Sequence, residues 1–537
     1  MKKTVLVAFI VCFSSFLFSQ TQVQGDVLTS TWTLENSPYE IMGDIVILNG
    51  ERLTIEEGVE VVFYGHYMIN VQGSIVANGT SDEMITFRSV DEETKWFGIR
   101  FLYTTDNSPS TINYCHIRDA KSILEELTGE DAWDLRHGGA IYSRNFSNFT
   151  VSNCIIENNI AATGAGIGLM YSSPTIKDNL IRYNLSTGPS SGWGAGISIA
   201  MDSNPMVRGN IIEYNACEGP NYCGGSGMYI EQAEPKIHNN IVRYNTVSHS
   251  AKNYDGAAFY IHTASPQFVG NLIYGNYGLD NVNDGGGFFL YMCNSHFVNN
   301  TIKTNLASRG GGFFFRESSP VFHNNIIRYN DDLGGGEQIY LNDDNCDPDF
   351  INNNIQGGVE GFGGSGADSY TGDYINNVDE DPKYVDAKGD DFNLTSDSPC
   401  VNSGLSYIEG FEFPLDDLNG NLRIFGDDVD MGACEFGSTS EIQNGELIIK
   451  NFTLDQNYPN PFNPTTTIKY SISETSSVNL NVYNMQGQLV KNLVNEVQKA
   501  GIHNVEFRAD DIISGVYFYS LVLDGAVTES KKMILVK

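Results

Sequence analysis

The chain has 537 residues, 41% apolar and 18% charged, with 55 Gly and 16 Pro; this composition builds packed cores and excludes a disordered chain. Acidic residues outnumber basic ones 66 to 31, for a formal charge of −35. A polyanion of this size repels nucleic acid and anionic lipid, whereas it suits a soluble extracellular protein whose Asp/Asn-rich loops are compatible with Ca²⁺.

Residues 1–19 read as a signal peptide: Lys2 and Lys3, an apolar run from Val5 to Phe18, then a small residue before Gln20. The run is too short for a membrane span and is removed in the mature protein. No later stretch is long and apolar enough to cross a bilayer. Eight cysteines remain after processing: Cys115, Cys154, Cys217, Cys223, Cys293, Cys346, Cys400 and Cys434. An exported protein can oxidise them, and Cys217 and Cys223 share one loop, so they are disulfide candidates. Without CxxC pairs a structural zinc site is not expected.

The stretch GDIVILNGERLTIEEGVEVVF (Gly43–Phe63) alternates apolar and polar residues, and KWFGIRF (Lys95–Phe101) continues in the same manner. A repeat then takes over. IKDNLIRYN (Ile176–Asn184) recurs as VRGNIIEYN, IHNNIVRYN, FVGNLIYGN, FVNNTIKTN and FHNNIIRYN. Aligning the central Asn gives Asn179, Asn210, Asn240, Asn271, Asn300, Asn325 and Asn353, at steps of 31, 30, 31, 29, 25 and 28 residues. Cys115 and Cys154 hold the same column earlier, and a second Asn column runs from Asn159 to Asn330. Such a period signals a solenoid, and period-2 alternation makes its unit from strands. Each unit has three runs: a Gly-led one such as GGGFFF (Gly310–Phe315), one before the Asn and one after it. Stacked in register, they form a parallel β-helix with coils about 4.8 Å apart. A buried Asn at each turn bonds its neighbours above and below and tolerates the left-handed backbone of tight turns.

The repeat and its Asn column resemble the right-handed parallel β-helix proteins, which include pectate-lyase-like and polygalacturonase-like enzymes. The expected fold is all-β: a right-handed parallel β-helix over residues 20–358, a capping extension and a small C-terminal β-sandwich. Residues 359–436 contain DPKYVDAKGDDFNLTSDSPCVNSG and DLNGNLRIFGDDVDMGACEF. They resemble the extension that closes bacterial surface β-helices, which implies capping or anchoring, and Cys400 with Cys434 is the expected pair within it. A polar linker follows at 437–450. Residues 451–537 carry NYPNPFNPTTTIKY, VNLNVYNMQGQLV and SGVYFY, which look like the type IX secretion sorting domain. That resemblance implies a β-sandwich read by the type IX secretion machinery, and hence export through the periplasm to the outer cell surface or beyond.

In the pectate-lyase arrangement the Gly-led run is the first strand, and its outer face is where such enzymes hold polysaccharide. With Phe313 and Phe315 inward, Phe314 points out. The outward column is then Gly168, Ser198, Tyr229, Tyr260, Phe289 and Phe314, followed by a second one with Glu231, His262, Tyr291 and Arg316. Tyr229, Tyr260, Phe289 and Phe314, with Trp193 and Arg316 at the rim, are the substrate-binding candidates. A stacked aromatic stripe serves either as a platform for sugar rings or as a ladder that stabilises the sheet. Asp255 and Asp284, one coil apart with Arg309 following, suit a glycosidase pair or a Ca²⁺ site, or simply cap turns before Gly. His262 is a candidate proton carrier. The column Glu157, Arg182, Glu213, Arg243, Tyr274, Lys303, Arg328 reads as an exposed charge ladder. The polygalacturonase G-H-G and R-I-K and the pectate-lyase W-I-D-H are absent from the chain. Two functions therefore stand: a secreted protein that binds or processes polysaccharide, as a lyase or glycoside hydrolase if catalytic, and a noncatalytic adhesin or scaffold.

Overall fold

The computed structural model describes residues 21–537 apart from 106, 126–131, 248–252, 279–282, 333–335, 427, 439–440, 444–445, 449–451, 455, 458, 473–475, 486–487, 500, 510–511 and 524–525. The signal-peptide reading falls outside the described residues. The chain divides into two compact units, Met1–Leu405 with Asp430–Ala433, and Ser406–Val429 with Cys434–Lys537.

The first unit is a solenoid of short parallel strands. The Gly-led strands Ile197–Ala200, Met228–Glu231, Phe259–His262, Phe288–Tyr291 and Phe313–Arg316 pair residue for residue and make its first face. Runs before the ladder Asn stack into a second face and runs after it into a third. Alternation sets the core as expected: Phe259, Ile261, Phe288, Leu290, Phe313 and Phe315 are all fully buried. Equivalent rings meet at stacking distance, with Phe259, Phe288 and Phe313 centroids 4.6 and 4.7 Å apart. Phe268, Phe297, Phe322 and Phe350 repeat this at 4.8, 4.6 and 4.7 Å.

The Asn ladder is satisfied on every side. Asn210 Nδ2 donates to Asn240 Oδ1 at 2.9 Å and to the Ile176 carbonyl at 3.0 Å. Its backbone N–H donates to the same Asn240 oxygen at 2.9 Å. The pattern holds from Asn179 to Asn353. Cys154 donates its N–H to Asn179 at 2.9 Å, and Cys115 donates its own to Cys154 Sγ at 3.4 Å, in the column read from the sequence. The second column, Asn159 to Asn330, closes on Gln338 Oε1 at 2.7 Å.

The structure departs from the sequence reading in several places. The first ladder continues to Asn377, which accepts from Asn353 at 3.0 Å, and Tyr374–Ile375 pairs with Asp349–Ile351. The solenoid therefore runs one coil past residue 358. Seven successive coils also carry a further two- or three-residue strand after the second Asn, such as Ala216–Glu218, too short for periodicity to register. The left-handed residue is not the ladder Asn but the one before it: Asp178, Asn239, Asn299 and Asn324 have φ of 58, 51, 54 and 59°. At the second turn that place is taken by Tyr183, Tyr214, Tyr244 and Tyr329, at 53, 54, 55 and 59°.

The charge ladder is exposed only in part, because the hairpin Tyr384–Asp386 and Asp391–Leu394 lies over its later rungs. Asp390 accepts from the Tyr244 and Tyr274 hydroxyls at 2.8 and 3.3 Å. Phe392 meets Tyr274 edge-on at 5.0 Å and lies 4.0 Å from the Lys303 ammonium. Lys303 is accordingly buried, while Glu213 is buried in its pair with Arg243 at 2.7 Å and Arg328 in its pair with Asp379 at 2.6 Å. Asp430–Ala433 also docks on this unit, with Gly432 N–H donating to the Asn324 carbonyl at 2.8 Å.

The eight cysteines Cys115, Cys154, Cys217, Cys223, Cys293, Cys346, Cys400 and Cys434 are buried and stand as thiols in this structure. Cys400 packs with Ile326, Leu394 and Met431 and accepts from Asn354 Nδ2 at 3.2 Å. In the coil between Cys293 and Cys346, Ser318 Oγ accepts the Cys293 N–H at 3.0 Å.

In the second unit, strands Thr465–Ile472 and Gly501–Arg508 pair antiparallel with Phe452–Leu454 at the edge. Ser476–Tyr483 lies between Leu489–Gln498 and Gly515–Leu523, which pairs with Ala526–Leu535. The two sheets share a core of Ile468, Tyr470, Leu480, Val482 and Tyr519. Asn457 of the NYPNP run is buried, donating N–H to the Tyr519 hydroxyl at 2.8 Å and Nδ2 to Thr466 Oγ1 at 2.9 Å. The run is thus a structural clamp on the sandwich.

Replacing Asn271 by Leu removes bonds to Asn240, Asn300 and the Ile237 carbonyl. It should destabilise the protein by about 1–3 kcal/mol; an unchanged melting curve would show that this ladder bears no stability. A second prediction concerns acid. Burial, helped by His296 with its Nε2 3.0 Å from His323 Nδ1, holds His323 down at about 4 from the ordinary 6.5. On unfolding the group binds a proton between those values, so stability is full above pH about 6.5 and falls as pH drops toward 4. His323→Val, the residue at the equivalent Val298, should flatten that slope in pH-dependent denaturant unfolding.

Candidate functional site on the first face

A sharp turn leads into each first-face strand. Gly256, Gly285 and Gly310 have φ of 63, 73 and 62°, and a Cβ there would lie 2.0, 2.2 and 2.2 Å from the carbonyl oxygens of Phe259, Phe288 and Phe313. Only Gly fits so close an approach. Every strand therefore starts in the same register, and the outward column reads Arg100, Tyr142, Gly168, Ser198, Tyr229, Tyr260, Phe289, Phe314, Tyr340.

The aromatic stripe exists and is longer than the sequence reading had it. Tyr229, Tyr260, Phe289, Phe314 and Tyr340 stack with centroids 5.6, 4.9, 5.2 and 5.1 Å apart. Most of it is covered: Tyr229, Phe289 and Phe314 are 8, 4 and 1% exposed, while Tyr260 and Tyr340 are half-buried. Their faces are spent on each other, and neighbours cover the rest. Trp193 lies 5.2 Å from Tyr229 and 5.1 Å from Tyr260. Arg309 lies 5.0 Å from Phe314 and 5.3 Å from Tyr340.

Arg309 is held there by Asp284, with two parallel bonds of 2.8 and 2.5 Å. The hydrogen bonds it donates to Asp284 raise the Arg309 pKa further, so the guanidinium stays charged. Asp284 thus serves as an arginine clamp. Asp255 is its neighbour one coil away by backbone register, but the side chain of Asp255 lies outside the described residues. Among the described residues no three His, Cys, Asp or Glu converge as for a metal.

The accessible part of the face is the next column. Glu231, His262 and Tyr291 are half-buried and Arg316 is exposed, in adjacent coils. Glu231 faces His262 Nδ1 at 3.5 Å and hydrogen-bonds the Tyr229 hydroxyl, which burial and this carboxylate push well above its usual range. His262 stacks on Tyr291 at 4.9 Å and 3°, and the Arg316 guanidinium lies 4.8 Å from the same ring. The row thus offers a carboxylate–imidazole pair, an aromatic ring and a cation at strand spacing. Sequence reasoning placed all four in one column but gave weight only to His262 and Arg316, because exposure of the stripe was the missing fact.

At the early end of the face, Arg100 is fully buried. It donates to the Phe97 carbonyl at 2.8 Å and to that of His137, and lies 5.5 Å from the Tyr142 ring. Tyr142 donates to Asp134 at 3.0 Å, and Arg144 pairs with the same carboxylate at 3.1 Å. This network anchors the short helix Ala132–Arg136.

Because its ring is packed on both faces, Phe289→Ala should cost about 3–5 kcal/mol in denaturant unfolding; a loss under about 1 kcal/mol would mean the stripe is not core-like.

Residues 97–302 match the model of the right-handed beta helix region, and residues 456–537 that of the secretion system C-terminal sorting domain. No curated protein matches the chain. Among solved structures, pectate lyase Pel9A is similar at 12% identity, covering 72% of this chain and 88% of its own, with a TM-score of 0.36. The enzymatically active domain of tailspike protein 2 of bacteriophage CBA120 is similar at 11% identity, covering 96% of this chain and 72% of its own, with a TM-score of 0.23. The sorting domain marks the chain for type IX export to the cell surface or extracellular space. The chain is a right-handed parallel β-helix protein carrying a type IX secretion sorting domain.

Proposed function

We propose that this exported β-helix binds polysaccharide on its first face, along the row Glu231, His262, Tyr291 and Arg316. The observation that carries the reading is that this row reaches solvent in four adjacent coils, half-buried at Glu231, His262 and Tyr291 and exposed at Arg316, whereas the stripe beside it is buried at Tyr229, Phe289 and Phe314. Coils about 4.8 Å apart repeat the contact along an extended chain. Tyr291 supplies apolar ring surface and Arg316 and His262 supply donors for hydroxyl or acidic groups. Glu231 with His262 is a pair able to accept and donate protons, so turnover is to be assayed together with binding. The burial of the stripe favours a second reading, a noncatalytic adhesin or scaffold whose aromatic ladder only stiffens the solenoid.

The double substitution Tyr291→Ala with Arg316→Ala should weaken retention in polysaccharide affinity gels by at least about tenfold, ~1.4 kcal/mol. The β-rich circular dichroism spectrum should be unchanged. Retention equal to that of the parent would remove the row as the contact. A parent that migrates freely through a panel of neutral and acidic polysaccharides would leave the scaffold reading.

A further inference from the structure

Cys217 sits on strand Ala216–Glu218 and Cys223 on strand Tyr222–Gly224, joined by one short turn. Both are buried, 0 and 1% exposed, in a small cluster with Ala195, Val247 and Ala257. The two thiols hydrogen-bond each other, and Cys217 Sγ donates to the Gly224 carbonyl at 3.3 Å. One coil earlier the same two positions are Ser186 and Gly192. There a hydroxyl ties the equivalent strands: Ser186 Oγ bonds the Ala162 and Trp193 carbonyls at 2.9 and 2.8 Å and accepts the Trp193 N–H at 2.9 Å. Thiols are much weaker hydrogen-bonding groups than hydroxyls. As a dithiol, the Cys217 coil is therefore held less firmly than its neighbour. The same turn carries Tyr222, 51% exposed, whose ring lies 6.5 Å from Trp193 beside the first face.

We propose that Cys217 and Cys223 are an oxidation site: they close as an intramolecular disulfide during export and fix the turn between them against the Trp193 strand. The proposal stands apart from polysaccharide binding. Export by type IX secretion takes the chain out of the reducing cytosol. The oxidant required is a disulfide-bearing thiol–disulfide oxidoreductase. One cysteine thiolate attacks a sulfur of its disulfide, giving a mixed disulfide and releasing one thiolate of the oxidant. The second cysteine thiolate then displaces the other. Two electrons pass to the oxidoreductase, and its two released thiolates take up the two cysteine protons by way of solvent, so that it leaves as the dithiol. Burial of both sulfurs in the finished coil places the step before that coil closes.

The test is a peptide map of full-length protein recovered from the exporting cell, alkylated under denaturing conditions without reductant. A Cys217–Cys223 bridge, two hydrogens lighter than the dithiol, is expected, with Cys293 and Cys346 alkylated. Full alkylation of Cys217 and Cys223, or bridges from either to another cysteine, would overturn the proposal. Limited proteolysis separates a lock from an idle bridge. Reductant should speed cleavage at residues 218–222 several-fold in the parent and leave Cys217→Ser/Cys223→Ser unaffected. A parent cleaved equally fast with and without reductant would overturn the locking role.

Discussion

In a parallel β-helix, each side chain meets the residue at the same place in the next coil, about 4.8 Å away. The rest of this structure depends on that constraint. A polar group buried at a turn must be satisfied by its own copy, and Asn does so because one amide both donates and accepts. Here each ladder Asn donates Nδ2 to the next and takes a backbone N–H on the same oxygen, as Asn240 does from Asn210. Two such columns set where every coil turns, and so set which residues of each strand face the core.

The same constraint acts on the rings. Phe288 and Phe289 are neighbours in sequence, yet both belong to vertical stacks on opposite sides of one sheet, with Phe313 and Phe314 one coil on. Inward stacking fills the core. Outward stacking makes a stripe that the chain then covers with Trp193 and the Asp284–Arg309 clamp. Stacking distance alone therefore does not mark a binding surface. The adjacent column, where the side chains change from coil to coil, ends on the exposed Arg316.

Covering has a counterpart on the third face. Tyr183, Tyr214, Tyr244 and Tyr329 occupy left-handed turns, where a residue other than Gly or Asn costs about 1–2 kcal/mol. Tyr183, Tyr214 and Tyr244 stack at 5.4 and 5.2 Å. Tyr244 and Tyr329 then hold the extension by their hydroxyls, to Asp390 and Asp381 at 2.8 and 3.1 Å. The strain is offset by docking of the Tyr384–Leu394 segment, which buries Lys303 between Phe392 and Tyr384 at 4.0 and 5.1 Å. Residues 381–394 thus lie along the solenoid's flank.

The sequence by itself determined the solenoid, the position of both Asn columns, the inward and outward alternation on Gly-led strands and the sorting domain. Each is a pattern repeated at fixed spacing, or a local motif, and period 2 within a strand leaves no freedom in which way a side chain points. Tertiary structure alone decided exposure. Whether Phe314 is a platform or a buried rung depends on Arg309, which precedes the strand, and on Asp284 in the coil before. Whether Lys303 is a solvated cation or a caged one depends on a hairpin about ninety residues away. Periodicity reports direction from the backbone. It carries no information about what a later segment lays over that face, because such contacts join residues with no fixed spacing in the chain.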